Sequence, residues 1–314
     1  MFERAASQTP WPPPPAVMAR CQQILGHGEN FPVLSLFSPR AARPHIVALY
    51  AYCRSVDDLG DESEADRIGG LERWEKNLRR SWQGDAVDDV VLEAAVASAT
   101  RLGLPLEPYL DLIEANRRDQ TQARFSDWPG LRDYCRHSAD PVGRLYLRIH
   151  GVADPRLDAL SDETCTGLQL VNFLQDIRED LEERGRIYLP LETLERYDVE
   201  PEDLHHGPAG PRWNQLQAVL GFERERARRH LERGLELVRH LDRRLGATIW
   251  IFNRAGVAVL DSLEQVHGDV WNHRPSPGPA AKARLVARGI GALIRGPAQP
   301  TRPTVDAVDP EDRP

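Results

Sequence analysis

Apolar residues recur at three- and four-residue intervals in nearly every informative window of the chain, the spacing of one face of an α-helix. No run alternates convincingly as a half-buried strand would. The period predicts helices over 16–25, 44–61, 65–79, 88–102, 106–120, 128–137, 140–151, 161–184, 212–243, 246–267 and 280–295. Pro44 suits the first turn of the second of these, and Ser161 suits the N-cap of the helix through 184, with Thr164 leaving the capping box incomplete. Residues 1–15 gather Pro10 and Pro12 to Pro15 around Trp11 and read as an extended Pro-rich arm. Residues 296–314 carry five prolines without an apolar period and read as a disordered tail. Segment 198–212, with His205, His206, Gly207, Pro208, Gly210 and Pro211, reads as a loop whose histidines sit in a solvated turn. No linker separates the helices, so 16–295 is expected to be a single all-α domain.

Two of these helices carry acid where a buried helix carries leucine. In HIVALYAYCRSVDDLGDE (45–62), Ile46, Leu49, Tyr50 and Cys53 make the apolar stripe. Arg54, Asp57, Asp58 and Asp61 repeat the same spacing one position along. Neighbouring carboxylates on such a ridge stand roughly 6 Å apart and repel by about 2–3 kcal/mol at an effective dielectric near 20. In LQLVNFLQDIREDLEERGRIYLP (168–190), Leu170, Phe173, Leu174, Ile177 and Leu181 are apolar, while Asn172, Asp176 and Asp180 share another face beside Gln175 and Glu179. Both segments therefore contain D-x-x-x-D, flanked by Arg54, Arg178 and Arg186. That spacing stacks two oxygen donors on successive turns and suits Mg²⁺, a hard ion that takes one or two carboxylates and completes its shell with water and phosphate. Two such pairs facing each other would hold ions around a diphosphate.

Composition narrows the class. The 314 residues are 41% hydrophobic and 28% charged, enough for a sizeable core beneath an ordinary surface. A net charge of −8 argues against a nucleic-acid partner. All but two of the 40 basic residues, Lys76 and Lys282, are arginine, the side chain suited to phosphate oxygens. Cys21, Cys53, Cys135 and Cys165 form no CxxC pair and read as reduced thiols. Neither GxGxxG nor GxxxxGK[ST] occurs, which removes the usual support for a Rossmann or P-loop domain. There is no membrane-spanning run and no apolar leader, so a cytoplasmic location is expected.

YAYCRSVDDLGDE and NFLQDIREDLEERGRIYLP resemble the two aspartate-rich signatures of the squalene/phytoene synthase family, RGRIYLP being especially specific. Matching features run from about 27 to 295. The resemblance implies the all-α isoprenoid synthase bundle around a central cavity. It implies Asp57, Asp61, Asp176 and Asp180 as catalytic residues, and these with Asn172 as Mg²⁺ ligands. It further implies substrate contacts from Arg54, Asp58, Arg136, Asn172, Gln175, Arg186 and Tyr188. Within the family, ENFPVLS (29–35), SADPVGRLYL (138–147) and NFLQD (172–176) are most similar to the bacterial hydroxysqualene synthase branch of hopanoid biosynthesis. Gln175 stands where the family has arginine, Arg136 where many relatives have tyrosine, and Asn30-Phe31-Pro32 replaces a serine-containing signature. Those departures fit a substrate that is already joined, presqualene diphosphate, ionised and captured by water. Condensation of two prenyl diphosphates, as in presqualene diphosphate, squalene or phytoene synthases, is the alternative, and a non-catalytic scaffold is a third reading.

Other positions carry weaker signals. His45 and His150 read as packed or surface histidines, and Trp250, Phe252, Tyr146 and Phe173 as core or cavity wall. Asn253 and Arg254 interrupt IWIFNRAGVAVL and are candidates to face the cavity. Residues 223–243 read as a salt-bridged solvent face. Helix 281–295, with Arg284, Arg288 and Arg295, reads as a terminal bundle helix whose basic face is compatible with peripheral contact at the inner membrane.

Overall fold

The computed structural model describes residues 11–25, 38–61 and 66–295. The first ten residues of the Pro-rich arm, the ENFPVLS segment and the C-terminal tail lie outside the described residues. The order of helices is α1 (Pro15–Leu25), α2 (Arg43–Asp61), α3 (Arg67–Trp82), α4 (Val90–Leu102), α5 (Glu107–Arg118), α6 (Trp128–Ser138), α7 (Asp140–Ile149), α8 (Pro155–Gln175), α9 (Ile177–Arg184), α10 (Leu191–Arg196), α11 (Trp213–Gly234), α12 (Arg243–Gln265) and α13 (Pro279–Arg295). Among the described residues the β structure amounts to an isolated parallel bridge, Arg124 with Ile187.

Side chains of aspartate open several helices. Asp89, Asp127, Asp154 and Asp242 each accept a hydrogen bond from a first-turn backbone N–H. Asp154 followed by Pro155 starts α8 six residues before the predicted Ser161 cap, and Ser161 is buried within the helix. The long helix predicted to run to 184 breaks at Asp176 (φ −107°, ψ 15°), and that predicted to run to 243 gives way to a 3₁₀ turn at Leu235–His240. Segment 198–212 contains two short 3₁₀ helices, with His205 and His206 exposed.

Two apolar clusters make the core. One joins α1 to α5, α7 and the start of α12 through residues such as Ile46, Tyr52, Leu92 and Tyr109. The other joins α6, α8 to α11 and the end of α12 through Leu131, Phe173, Leu216 and Leu260. α8 and α11 approach closely at Gly167, where a Cβ would stand 3.0 Å from the backbone nitrogen of Leu231.

Several polar residues turn out to be structural. Asn253 is fully buried and donates to Ile249 O (2.9 Å) and Thr164 Oγ1 (3.1 Å), so it ties α12 to α8 instead of facing the cavity. The face beginning at 223 is not wholly solvated. Glu223 and Arg226 are buried as a pair, and the guanidinium lies over the Trp128 and Phe222 rings. His45 is packed, bonded to Ser98 Oγ (2.7 Å) and stacked on Trp11. α13 packs on α12 with Ile290 43% exposed, and among the described residues no helix is long and apolar enough to cross a membrane.

Asp140, with no exposure at the start of α7, accepts from Arg132 Nη1 of α6 (2.9 Å) and Thr166 Oγ1 of α8 (3.1 Å) and so fixes three helices together. Burial pushes its carboxyl from an ordinary 3.8 up to about 7, against the pull of Arg132. A carboxyl held above its unfolded value binds its proton more tightly in the native chain, so the native state loses stability as pH rises through that window. Asn does not titrate. The stability of Asp140→Asn relative to the wild type is therefore expected to improve between about pH 5 and about pH 8, read as urea midpoints. A difference that stays constant over that range would contradict the shift.

Candidate active site

The two acidic helices meet. Asp57 and Asp61 of α2 line the same cleft as Asn172, Asp176 and Asp180 from the α8–α9 junction, a space of about 390 Å³. The break at Asp176 does not disturb their spacing, because Asp176 N donates to Asn172 O (2.9 Å) and Asp180 N to Asp176 O (2.8 Å). After α9 the chain reverses at Gly185, whose φ of 65° lies in the left-handed region. Ile187 N then donates to Ala123 O (2.9 Å), and the returning segment carries Arg186 and Tyr188 into the cleft.

Arginine joins the two sides. Arg184 spans from Asp61 Oδ2 (3.6 Å) to Asp180 Oδ1 (3.2 Å), and also meets Glu179 Oε1 (3.0 Å). Arg186, 5% exposed, donates to Asp61 Oδ1 (2.8 Å) and lies 3.9 Å from Asp119 Oδ2. Asp119 in turn accepts from Tyr134 Oη (2.6 Å) and Tyr188 Oη (3.0 Å). Tyr188 is stacked on Phe173 at 4.1 Å, with Tyr134 5.6 Å away, so one wall of the acidic cleft is aromatic.

Six carboxylates line the cleft (Asp57, Asp61, Asp119, Asp176, Glu179, Asp180) against three guanidiniums (Arg54, Arg184, Arg186). Burial raises the proton affinity of several of them. Asp57 opens onto the cleft but is walled by protein on its other sides; burial raises it to about 7, against the Asn116 amide that donates to it at 3.1 Å. Burial raises Asp180 to about 7 too, with Arg184 opposing and Asp176 adding to the shift. Burial lifts Asp119 to about 6, with Arg186 pulling the other way. Asp176 is likewise raised by burial, Arg274 opposing. Such a cleft favours cations.

The donor set fits Mg²⁺. Among the described residues no three His, Cys, Asp or Glu side chains converge as a closed ligand group. The carboxylates are instead spread around a space, and Mg²⁺ typically takes one or two of them together with water and phosphate.

Three predicted residues do not line this cleft. Gln175 lies about 100° around the helix from Asp176, and its Nε2 donates to Pro275 O (2.6 Å). Arg136, two positions after Tyr134 and so on the opposite face of α6, is 61% exposed and 3.8 Å from Asp133. Asp58 pairs with Arg54 (2.7 Å) on the flank of α2. Arg178, a flanking arginine of the second acidic segment, also points away, to Trp271 O (2.6 Å) and Glu182 (2.9 Å). Conversely, Asn116, Asp119, Tyr134, Ser138, Gln169 and Arg184 line the cleft without having been singled out, and Arg274 reaches Asp176 Oδ1 (3.1 Å) from the segment after α12. Gln169, three residues before Asn172, and Arg184, four residues after Asp180, had a periodic signal.

An all-α bundle around such a cleft has the isoprenoid synthase fold. The squalene synthase HpnC from Alicyclobacillus acidocaldarius superposes with a TM-score of 0.74 at 40% identity, covering 80% of this chain and 94% of that one. The 15-cis-phytoene synthase of Synechococcus elongatus is 32% identical over 269 residues, 81% of this chain and 86% of the relative. The hydroxysqualene synthase of Zymomonas mobilis is 32% identical over 242 residues, 76% and 80% of the two chains. Residues 24–281 match the squalene/phytoene synthase family, and the chain belongs to it.

Gly60 tests the geometry. A Cβ there would collide with Asn116 Oδ1, the other end of the amide that holds Asp57. Gly60→Ala is expected to lower kcat for diphosphate release by about 10- to 100-fold through displacement of that contact, with the far-ultraviolet dichroism unchanged. Wild-type kcat in this variant would show that the Asn116–Asp57 contact is dispensable.

Proposed function

We propose that the protein ionises presqualene diphosphate in a Mg²⁺-dependent step and that water captures the rearranged cation, giving hydroxysqualene and diphosphate. The observation that carries the ionisation is the meeting of Asp57 and Asp61 with Asn172, Asp176 and Asp180 across one arginine-bridged cleft. The 40% identity to the HpnC squalene synthase favours a C30 product of this type.

Asp57, Asp61, Asn172, Asp176 and Asp180 would hold the metal. When bound, Mg²⁺ neutralises charge that develops on the diphosphate as its carbon–oxygen bond breaks. Arg54, Arg184 and Arg186 attract and orient the diphosphate, their positions set beforehand by the surrounding carboxylates. Asp119 fixes the hydroxyls of Tyr134 and Tyr188, which keeps the Phe173–Tyr188 stack against the cleft. Those ring faces stabilise positive charge without bonding to it.

The 32% identity to a phytoene synthase favours a second reading, condensation of two prenyl diphosphates. Product analysis separates the two. With Mg²⁺, the purified protein is expected to convert presqualene diphosphate to hydroxysqualene with or without NADPH; conversion of farnesyl diphosphate alone to a C30 product would select the condensing reading. EDTA is expected to abolish turnover and Mg²⁺ to restore it. Asp57→Ala and Asp176→Ala are each expected to cut diphosphate release at least about 100-fold, the scale of a lost electrostatic contact, while remaining helical by circular dichroism. Unchanged turnover in metal-free buffer would overturn the Mg²⁺ dependence.

A further inference from the structure

The last helix is charged unlike the rest of the molecule. α13 carries Lys282, Arg284, Arg288 and Arg295 and no acid, and α12, on which it packs, carries three arginines and two acids, in a chain whose net charge is −8. Both acids of α12 are already engaged with α11. Asp261 accepts from Arg228 Nη2 (2.7 Å), and Glu264 pairs with Arg224 (3.3 Å). Arg284 and Arg288, one turn apart on α13, are exposed and meet no carboxylate among the described residues; Arg284 reaches only Ala280 O of its own helix (3.3 Å). The apolar residues of α13 are divided between two sides. Gly289 is buried and Leu285 and Val286 are half-buried, which marks the side turned to the bundle. Ala283, Ala287 and Ile290 follow one another at helical spacing on the other side; the alanines are exposed and Ile290 is 43% exposed. An apolar stripe therefore runs along the outside of the molecule with an arginine row beside it.

We propose that this outer face of α13 docks on an anionic phospholipid surface. Each half of the face selects that partner. Guanidiniums without carboxylates attract lipid phosphates, each basic residue near such a surface raising affinity about fivefold. The stripe of alanine and isoleucine enters the boundary between headgroups and acyl chains, an apolar environment that a polyanion in solution does not offer. The rest of the chain is more acidic than the −8 total, so the same surface repels it and the bilayer meets α13 first. The contact is interfacial, since no described helix is long and apolar enough to cross a membrane. This inference goes beyond the reaction proposed above and is the same whichever prenyl product is made. Its use to the enzyme is concentration: a long prenyl chain partitions into a bilayer, and docking brings the protein to the surface where such a substrate resides.

The full chain, with residues 296–314 present, is floated with vesicles of phosphatidylglycerol and phosphatidylcholine, or of phosphatidylcholine alone, at low and at high salt. The wild type is expected to bind the anionic vesicles at low salt, to lose most of that binding at high salt, and to ignore phosphatidylcholine. Replacing both arginines (Arg284→Gln with Arg288→Gln) is expected to weaken binding at least about tenfold. Ile290→Ser is expected to weaken it about threefold, with Ile290→Ala as the comparison where serine disturbs the helix. All variants are expected to keep the wild-type far-ultraviolet dichroism and the wild-type turnover of substrate dispersed in detergent, because these residues lie away from the cleft. A wild type that does not float with anionic vesicles overturns the proposal, as do arginine variants that bind like wild type. Binding that is indifferent to Ile290 and matched by a DNA duplex assigns the face to a soluble polyanion and overturns it too. So does a dimer, seen by light scattering, that Ile290→Ser dissolves. Vesicle binding is read without turnover, so a wild type that binds lipid but makes no hydroxysqualene overturns the proposed reaction alone.

Discussion

The site depends on a concentration of negative charge that the protein only half neutralises. Arg184 and Arg186 tie Asp61 to Asp180 and Asp119, which lets two acidic helices face each other without flying apart. The arginines stop short of balance, and burial leaves Asp57 and Asp180 holding protons up to near neutrality. A fully compensated cleft would be more stable and less useful, because a buried ion pair competes with any cation or phosphate that approaches. Function is located in the remaining deficit.

The second acidic segment serves two neighbours at once. Its inner face supplies Asn172, Asp176 and Asp180 to the cleft, while its outer face uses Gln175 and Arg178 to hold the backbone at Pro275 and Trp271. Arg274 lies on that held segment and contacts Asp176 from the far side. The carboxylates of the α8–α9 junction are thus positioned from α2, from the 184–188 return and from the 270s together.

Much of this was legible in the residues. Periodicity identified most of the helices, and D-x-x-x-D spacing identified both acidic faces, because each lies within one helix where sequence distance is spatial distance. Helix ends were less legible where a strong Asp-Pro start overrode a plausible serine cap, as at Asp154 and Pro155. Asn116 and Asp119 were invisible because they belong to α5 and the turn after it, where an isolated amide and carboxylate carry no pattern; only the packing of α5 against α2 makes them part of the cleft. Gln175 and Arg136 were assigned by position in a motif, and helical phase overrules motif position: neighbours of a ligand in sequence point elsewhere.

The parallel bridge between Arg124 and Ile187 fixes more than two residues. Backbone bonds from Ile187 to Ala123, Leu191 to Phe125 and Glu192 to Ser126, each 2.9 Å, clamp the turn after α5 to the segment after α9. Asp119 enters on one strand of that clamp and Arg186 on the other, so their separation is set by peptide groups. Removing a single residue from 120–126 would therefore shift the register and carry a carboxylate away from its guanidinium. At that corner of the cleft, chain length is the inherited quantity.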